Sequence, residues 1–78
     1  MTSKQIGNIV LHLRKQSGLT QKQLADLAGV GKTVIFDVEK GKETVQLNSL
    51  LKIFPVLNIK LNLSNPLIHL MESSNENS

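Results

Sequence analysis

The residues best suited to contact another molecule lie between Lys32 and Lys40. In a helix, Lys32, Thr33, Phe36, Asp37 and Lys40 would share one face, at spacings of one, four, five and eight residues. They supply cationic donors, a hydroxyl, a carboxylate acceptor and an aromatic ring. Such a face suits recognition of another molecule.

The sequence offers no comparable set of groups for catalysis. It contains no cysteine, and its two histidines, His12 and His69, lie in different segments with no carboxylate spacing that connects them. A metal site needs several convergent ligands, so His12 is interpreted as a solvated helix residue. We expect no enzyme activity, no cofactor and no metal site.

Two short helices are predicted to position the recognition face. The first opens with Thr20 as N-cap and Gln23 as its capping-box partner, while Leu19 and Leu24 occupy the positions of a hydrophobic staple. Its predicted inner face consists of Leu24, Leu27 and Ala28, with Ala25 beside them.

A glycine turn joins this helix to the next. Gly29 follows the last periodic residue, where a positive φ is common. The second helix starts at Gly31 or Lys32, and Gly41 ends it. Its predicted inner face consists of Val34, Ile35 and Val38.

Further helices are predicted on both sides of this pair. Ser3 is the expected N-cap of the N-terminal helix, which ends at Ser17 and Gly18. A C-terminal helix is expected to end or kink near Phe54, because Pro55 lacks a backbone donor. The apolar stripes of the two helices are Ile6, Ile9, Val10 and Leu13, and Leu47, Leu50, Leu51 and Phe54.

The period then changes from 3.6 to 2. Ile59, Leu61 and Leu63 alternate with polar residues, which predicts one strand that Pro66 ends. A lone strand leaves backbone donors and acceptors unpaired, so pairing with the same strand of a second copy is expected. The predicted organisation is a domain over 1–57, a dimerisation strand over 58–66 and a C-terminal segment over 67–78, disordered from about 72 unless bound.

Composition indicates a small, basic domain. The 78 residues carry a net charge of +3, which favours a polyanionic partner. The aromatic residues are Phe36 and Phe54 alone, so no platform exists for stacking single-stranded bases, and duplex DNA is the better partner. No apolar run approaches the length of a membrane span and no secretion signal is present, so the cytoplasm is expected.

Nine residues of the central pair of helices form a recognisable pattern, namely Gln21, Leu24, Ala25, Ala28, Gly29, Val30, Ile35, Glu39 and Gly41. Their order and spacing resemble the helix-turn-helix of lambda-repressor-like (Xre-type) DNA-binding proteins. The resemblance implies that Lys32 to Glu39 is a recognition helix in the major groove. It implies that Lys32, Thr33 and Asp37 read bases and that Phe36 lies against a sugar or a methyl group, although a partly buried helix residue is the alternative for Phe36. It also implies a salt bridge between Arg14 and Glu39. Candidate phosphate contacts are Gln21, Lys22, Lys40 and Lys42.

With its predicted strand, the chain is also similar to HipB-type antitoxins. This resemblance implies a homodimer that binds an inverted-repeat operator, represses its own operon and holds a HipA-like kinase toxin. A stand-alone or phage-type repressor without a toxin is one alternative, and a protein-neutralising module with little DNA function is another. Two further readings of the central stretch are a helical hairpin that binds a protein and a phosphate-binding loop over Gly29 to Thr33, whose required preceding strand is not predicted.

Overall fold

The computed structural model describes residues 1–61, which form four helices. These are α1 (Ser3–Gln16), α2 (Gln21–Ala28), α3 (Lys32–Glu39) and α4 (Leu47–Val56). The predicted mainly α, four-helix arrangement is confirmed. Helix α3 packs against both α1 and α2, and α4 packs against α2.

Helices α1 and α2 both begin with a capping box. The predicted box at Thr20 and Gln23 is present, with each side chain accepting from the other residue's backbone N–H. The prediction for α1 was wrong by one residue, because Thr2 is the N-cap and Ser3 is the first helical residue. Gln5 lies three residues after Thr2 and completes a reciprocal box that Ser3 could not form with Ile6.

The turn between α2 and α3 has the predicted glycine geometry. Gly29 has φ 71°, and Val30 N–H donates to the Ala25 carbonyl at 3.0 Å. The chain therefore reverses within three residues and starts α3 at Lys32.

Helix α4 continues through Pro55 and ends at Val56, two residues beyond Phe54. A proline in the last turn removes only one hydrogen bond, so the helix tolerates it. Asn58 then adopts φ 57°, and Ile59 N–H donates to the Phe54 carbonyl at 2.9 Å. This left-handed residue ends the helix.

Each helix contributes one fully buried side chain to a common centre, namely Val10, Leu24, Ile35 and Ile53. Ala25, Val38, Phe54 and Leu57 complete the buried core. Because these residues come from all four helices, the core fixes the orientation of α3 relative to the rest of the domain.

Several apolar residues predicted on inner faces are exposed instead. Leu27 is 63% exposed, because at about 100° per residue it lies well to one side of the buried Leu24 and Ala25. Ile9 is 39% exposed at the edge of its stripe. On α4, Leu47 and Leu51 of the predicted stripe lie on the solvent side, whereas Leu50 and Phe54 pack inward together with Ile53, which the predicted stripe did not include.

The predicted strand is not seen in the described part of a single chain. Ile59 packs against the core and Leu61 is exposed, without strand geometry over 59–61. Leu63, Pro66 and the segment 67–78 lie outside the described residues. The strand, the domain boundaries and the tail therefore stay predictions.

Candidate nucleic-acid interface

Helix α3 presents one polar face to solvent. Lys32, Thr33, Phe36 and Lys40 are exposed on it, whereas Val34, Ile35 and Val38 face the domain. Phe36 is 47% exposed, so it is not a core residue. Gln21, from the start of α2, joins Lys32, Thr33 and Phe36 around one surface hollow. The turn between the two helices thus brings four of the predicted contact residues together.

Lys40 lies beside this hollow. Its Nζ is 5.4 Å from the centroid of the Phe36 ring, one helical turn away along α3. This is within the range of a cation–π contact. Lys32 and Lys40 therefore place positive charge one turn before and one turn after the ring.

Asp37 is at the other edge of the face. Its side chain is 27% exposed, and its Oδ2 atom lies 3.7 Å from Lys42 Nζ. These two side chains line a separate hollow with Val34, Val45 and the polar residues Thr44, Gln46 and Ser49. The predicted reading face is therefore divided, with Asp37 and Lys42 on one side and Lys32, Thr33 and Phe36 on the other.

Lys22 lies on the solvent side of α2. Its Nζ is 3.2 Å from Asp26 Oδ2, one turn further along the helix, and both side chains are more than 60% exposed. Such an i,i+4 pair is weak, so Lys22 can readily exchange Asp26 for another anion.

A buried ion pair lies beneath this surface. Arg14 Nε donates to Glu39 Oε2 at 2.6 Å and Arg14 Nη2 donates to Glu39 Oε1 at 3.1 Å. The two side chains are 10% and 5% exposed. The predicted pair is thus present and bidentate, which is a stronger geometry for a guanidinium and a carboxylate than a single hydrogen bond.

Two more groups join this pair into a network. Arg14 Nη1 donates to the Leu19 carbonyl at 2.8 Å, and Gln21 Nε2 donates to Glu39 Oε1 at 3.0 Å. In the described part of the chain, every buried side-chain nitrogen or oxygen has a hydrogen-bond partner. The network, comprising Arg14, Leu19, Gln21 and Glu39, ties the end of α1 and the start of α2 to the end of α3.

Gln21 therefore takes part in the buried network and also lines the surface hollow on α3. It was predicted as a candidate phosphate contact, and its amide nitrogen donates to Glu39. Gln21 also lines the hollow together with Lys32, Thr33 and Phe36. Sequence reasoning missed the bond to Glu39 because the two residues are 18 apart and neither spacing nor charge pairs an amide with a carboxylate.

Two glycines let α1 approach the end of α3. A Cβ on Gly7 would collide with the backbone carbonyl of Val38, and one on Gly41 would meet Lys4 Cα at 2.9 Å. Gly41 also has φ 77°, as its predicted helix-ending role requires. The close contact sets the position of the recognition helix against α1.

Other site chemistries find little support among residues 1–61. Helix α2, rather than a strand, precedes Gly29 to Thr33, so the context of a phosphate-binding loop is missing. No group of three potential metal ligands is found in this part of the chain. Within the same range, no helix is long and apolar enough to span a membrane.

Comparison with known proteins agrees with this geometry. A helix-turn-helix family model, HTH_3, matches residues 11–63. The uncharacterized HTH-type transcriptional regulator y4mF of Sinorhizobium fredii is 37% identical over 65 residues, which cover 83% of this chain and 86% of that protein.

Solved structures give the same result. A chain of the HipA-HipB-O2-O3 complex matches with a TM-score of 0.75 and 26% identity, over 85% of this chain and 93% of that one. The restriction-modification controller protein C.AhdI of Aeromonas hydrophila matches with a TM-score of 0.67 and 33% identity, over 74% of this chain and 88% of its own.

The chain therefore belongs to the HTH_3 family of lambda-repressor-like (Xre-type) helix-turn-helix proteins, and it is a DNA-binding transcriptional regulator. Within this class it is HipB-like, since HipB structures are among its structural neighbours over most of both chains.

Proposed function

We propose that this regulator is a homodimeric repressor that binds an inverted-repeat operator, autoregulates its operon and serves as the antitoxin of a HipA-like kinase toxin. The observation that carries the DNA-binding part is the exposed hollow on α3, where Lys32, Thr33 and Phe36 lie together above a rigidly held helix. An exposed, cationic helix face on a fixed scaffold suits insertion into the major groove.

The side chains on this face would divide into base readers and phosphate contacts. Lys32 can donate to guanine O6 and N7, and Thr33 can bond several base edges. Asp37 can accept a hydrogen bond from cytosine N4 if Lys42 moves from Asp37 to a phosphate. Their charged groups are 3.7 Å apart and therefore not tightly paired, which favours this exchange. Lys22, Lys40 and Gln21 are the remaining proposed phosphate contacts.

Dimerisation is supported by an apolar groove away from α3. It is lined by residues of α1, by Phe54 and by the start of the predicted strand, and Ile9 and Leu61 on its wall are 39% and 60% exposed. The predicted strand of a second copy, with Ile59, Leu61 and Leu63 on one face, would cover this groove. The two recognition helices would then reach half-sites about 34–36 Å apart.

The toxin partner is supported by the likeness to the HipA-HipB-O2-O3 complex. In that complex HipB occurs together with HipA. We propose that the corresponding partner of this chain is a HipA-like kinase.

A stand-alone repressor without a toxin is the second candidate. The observation that favours it is the 33% identity to the controller protein C.AhdI over 74% of this chain. Its recognition helix and operator chemistry would be the same, and only the protein partner would differ.

Gel-shift titrations with DNA from the promoter upstream of the gene would test the proposal, with the chain alone and with the product of the neighbouring gene. Salt-dependent binding of a dimer, retained in a complex with a kinase-like neighbour, is the expected result. Binding without such a complex would support the stand-alone repressor. Absence of salt-dependent binding to the promoter would contradict both.

A further inference from the structure

We propose that Phe36 reads the C5 methyl group of a thymine in each operator half-site. The surface hollow that Phe36 lines with Lys32 and Thr33 would receive this methyl group. This inference rests on the proposed DNA-binding function and names the base chemistry that the site would select.

The position of Phe36 is the first argument. Single exposed apolar residues are ordinary on protein surfaces. Phe36, however, lies on the outer face of the recognition helix with 47% of its surface exposed, while Phe54 is buried in the core at 7%. On this face the ring does not serve the core of its own domain.

The flanking charges are the second argument. Lys40 Nζ stands 5.4 Å from the ring centroid, and Lys32 lies one turn earlier on the same face. The Lys40 ammonium beside the ring and Lys32 on the same face favour the approach of this face to the anionic duplex, and the remaining exposed ring surface is left as the apolar part of the interface. Thr33 adds a methyl group on the border of the same hollow.

The chemistry of the major groove supplies the third argument. The base edges there carry hydrogen-bonding groups and one apolar group, the C5 methyl of thymine. An apolar ring at the groove floor therefore discriminates thymine from cytosine, which lacks this methyl group. A sugar contact would instead be made at any sequence, because every nucleotide has the same sugar.

Replacing thymine by deoxyuridine tests this directly, since it removes the methyl group and keeps the hydrogen-bonding edge. A preferred half-site is first selected from random duplexes, and each thymine is then replaced in turn. At one thymine per half-site, deoxyuridine should weaken binding of the wild-type dimer about 4-fold, and about 16-fold when both half-sites are changed. The estimate corresponds to roughly 0.8 kcal/mol per buried methyl group.

The Phe36→Ala variant should lose this sensitivity and bind thymine and deoxyuridine duplexes equally, whereas Phe36→Leu should retain part of it. Because Phe36 is half exposed, Phe36→Ala should keep the thermal unfolding temperature within a few degrees. Deoxyuridine at the other thymines of the half-site is the matched control.

Equal thymine sensitivity in wild type and Phe36→Ala would overturn the proposal, as would its absence in both. If Phe36→Ala weakened binding to all duplexes alike, a sugar contact would replace the methyl contact. Failure of the wild-type protein to bind any duplex would instead refute the proposed function itself.

Discussion

The two sides of helix α3 differ in how completely its polar groups are paired. On the inner side, Glu39 accepts three hydrogen bonds from Arg14 and Gln21 and is 5% exposed. On the outer side, Lys32 and Thr33 are exposed, and the nearest ion pair, between Asp37 and Lys42, is 3.7 Å long. The paired side fixes where the helix lies, and the unpaired side is left for a partner.

This difference predicts how substitutions will act. Changes to the paired side should lower the free energy of unfolding, because they leave buried groups without partners. Changes to the outer side should leave folding nearly intact and alter DNA binding.

The largest effect is expected from Arg14→Ala. It should lower the free energy of unfolding by about 3–5 kcal/mol, because it leaves the Glu39 carboxylate buried without its cation. Urea denaturation followed by circular dichroism would measure it.

The double variant Arg14→Ala with Glu39→Ala separates pairing from simple loss of packing. It should be less destabilised than the sum of the single variants, because neither charge is then left alone. Strict additivity of the two substitutions would show that the pair does not act as a unit.

Gly7→Ala should be the next most damaging change. The added Cβ would collide with the Val38 carbonyl, so α1 must move away from α3 at a cost of about 1–3 kcal/mol. Gly31→Ala is a suitable control, because its Cβ has open space and the residue has φ −74°. Equal thermal stability of the Gly7→Ala and wild-type proteins would refute the proposed close contact.

Lys42→Ala should leave the fold intact but change the salt dependence of binding. Loss of one phosphate contact should reduce the slope of log K against log salt by about 0.9 per protomer and weaken binding to all duplexes alike. Fluorescence anisotropy at several salt concentrations would measure the slope. An unchanged slope would remove Lys42 from the phosphate contacts.

The smallest effect is expected at the exposed ion pair of α2. Asp26→Ala should cost about 0.3–0.5 kcal/mol of stability, since both side chains are largely in water. A loss as large as that of Arg14→Ala would contradict the distinction between buried and exposed pairs.

Local patterns predicted the helices that carry the site. Thr20 with Gln23, and Gly29 with Gly41, mark the ends of the central helices through caps and turns that depend only on neighbouring residues. The fold class followed from the spacing of apolar residues in the same way.

Contacts between residues that are far apart in the sequence were harder to predict. The Arg14–Glu39 pair came from resemblance to a family, and the bond from Gln21 to Glu39 was missed because it depends on how α2 crosses α3. The exposure of Leu27 was also missed, because the predicted inner face was too wide and included a residue that lies to one side of the buried Leu24 and Ala25. Likewise, spacing placed Asp37 beside Lys32, whereas Asp37 lies with Lys42 in a separate hollow.

The central claim is that the outer face of α3 reads the operator sequence. The base preference of the Lys32→Ala variant tests it most directly. Binding selections on random duplexes would compare wild type with this variant, using Lys42→Ala as the control. If the outer face of α3 reads the bases, Lys32→Ala should relax the preference at one base pair per half-site, because each base-reading side chain contributes about 1–3 kcal/mol. Lys42→Ala should leave the base preference unchanged. An identical base preference in wild type and Lys32→Ala would contradict it.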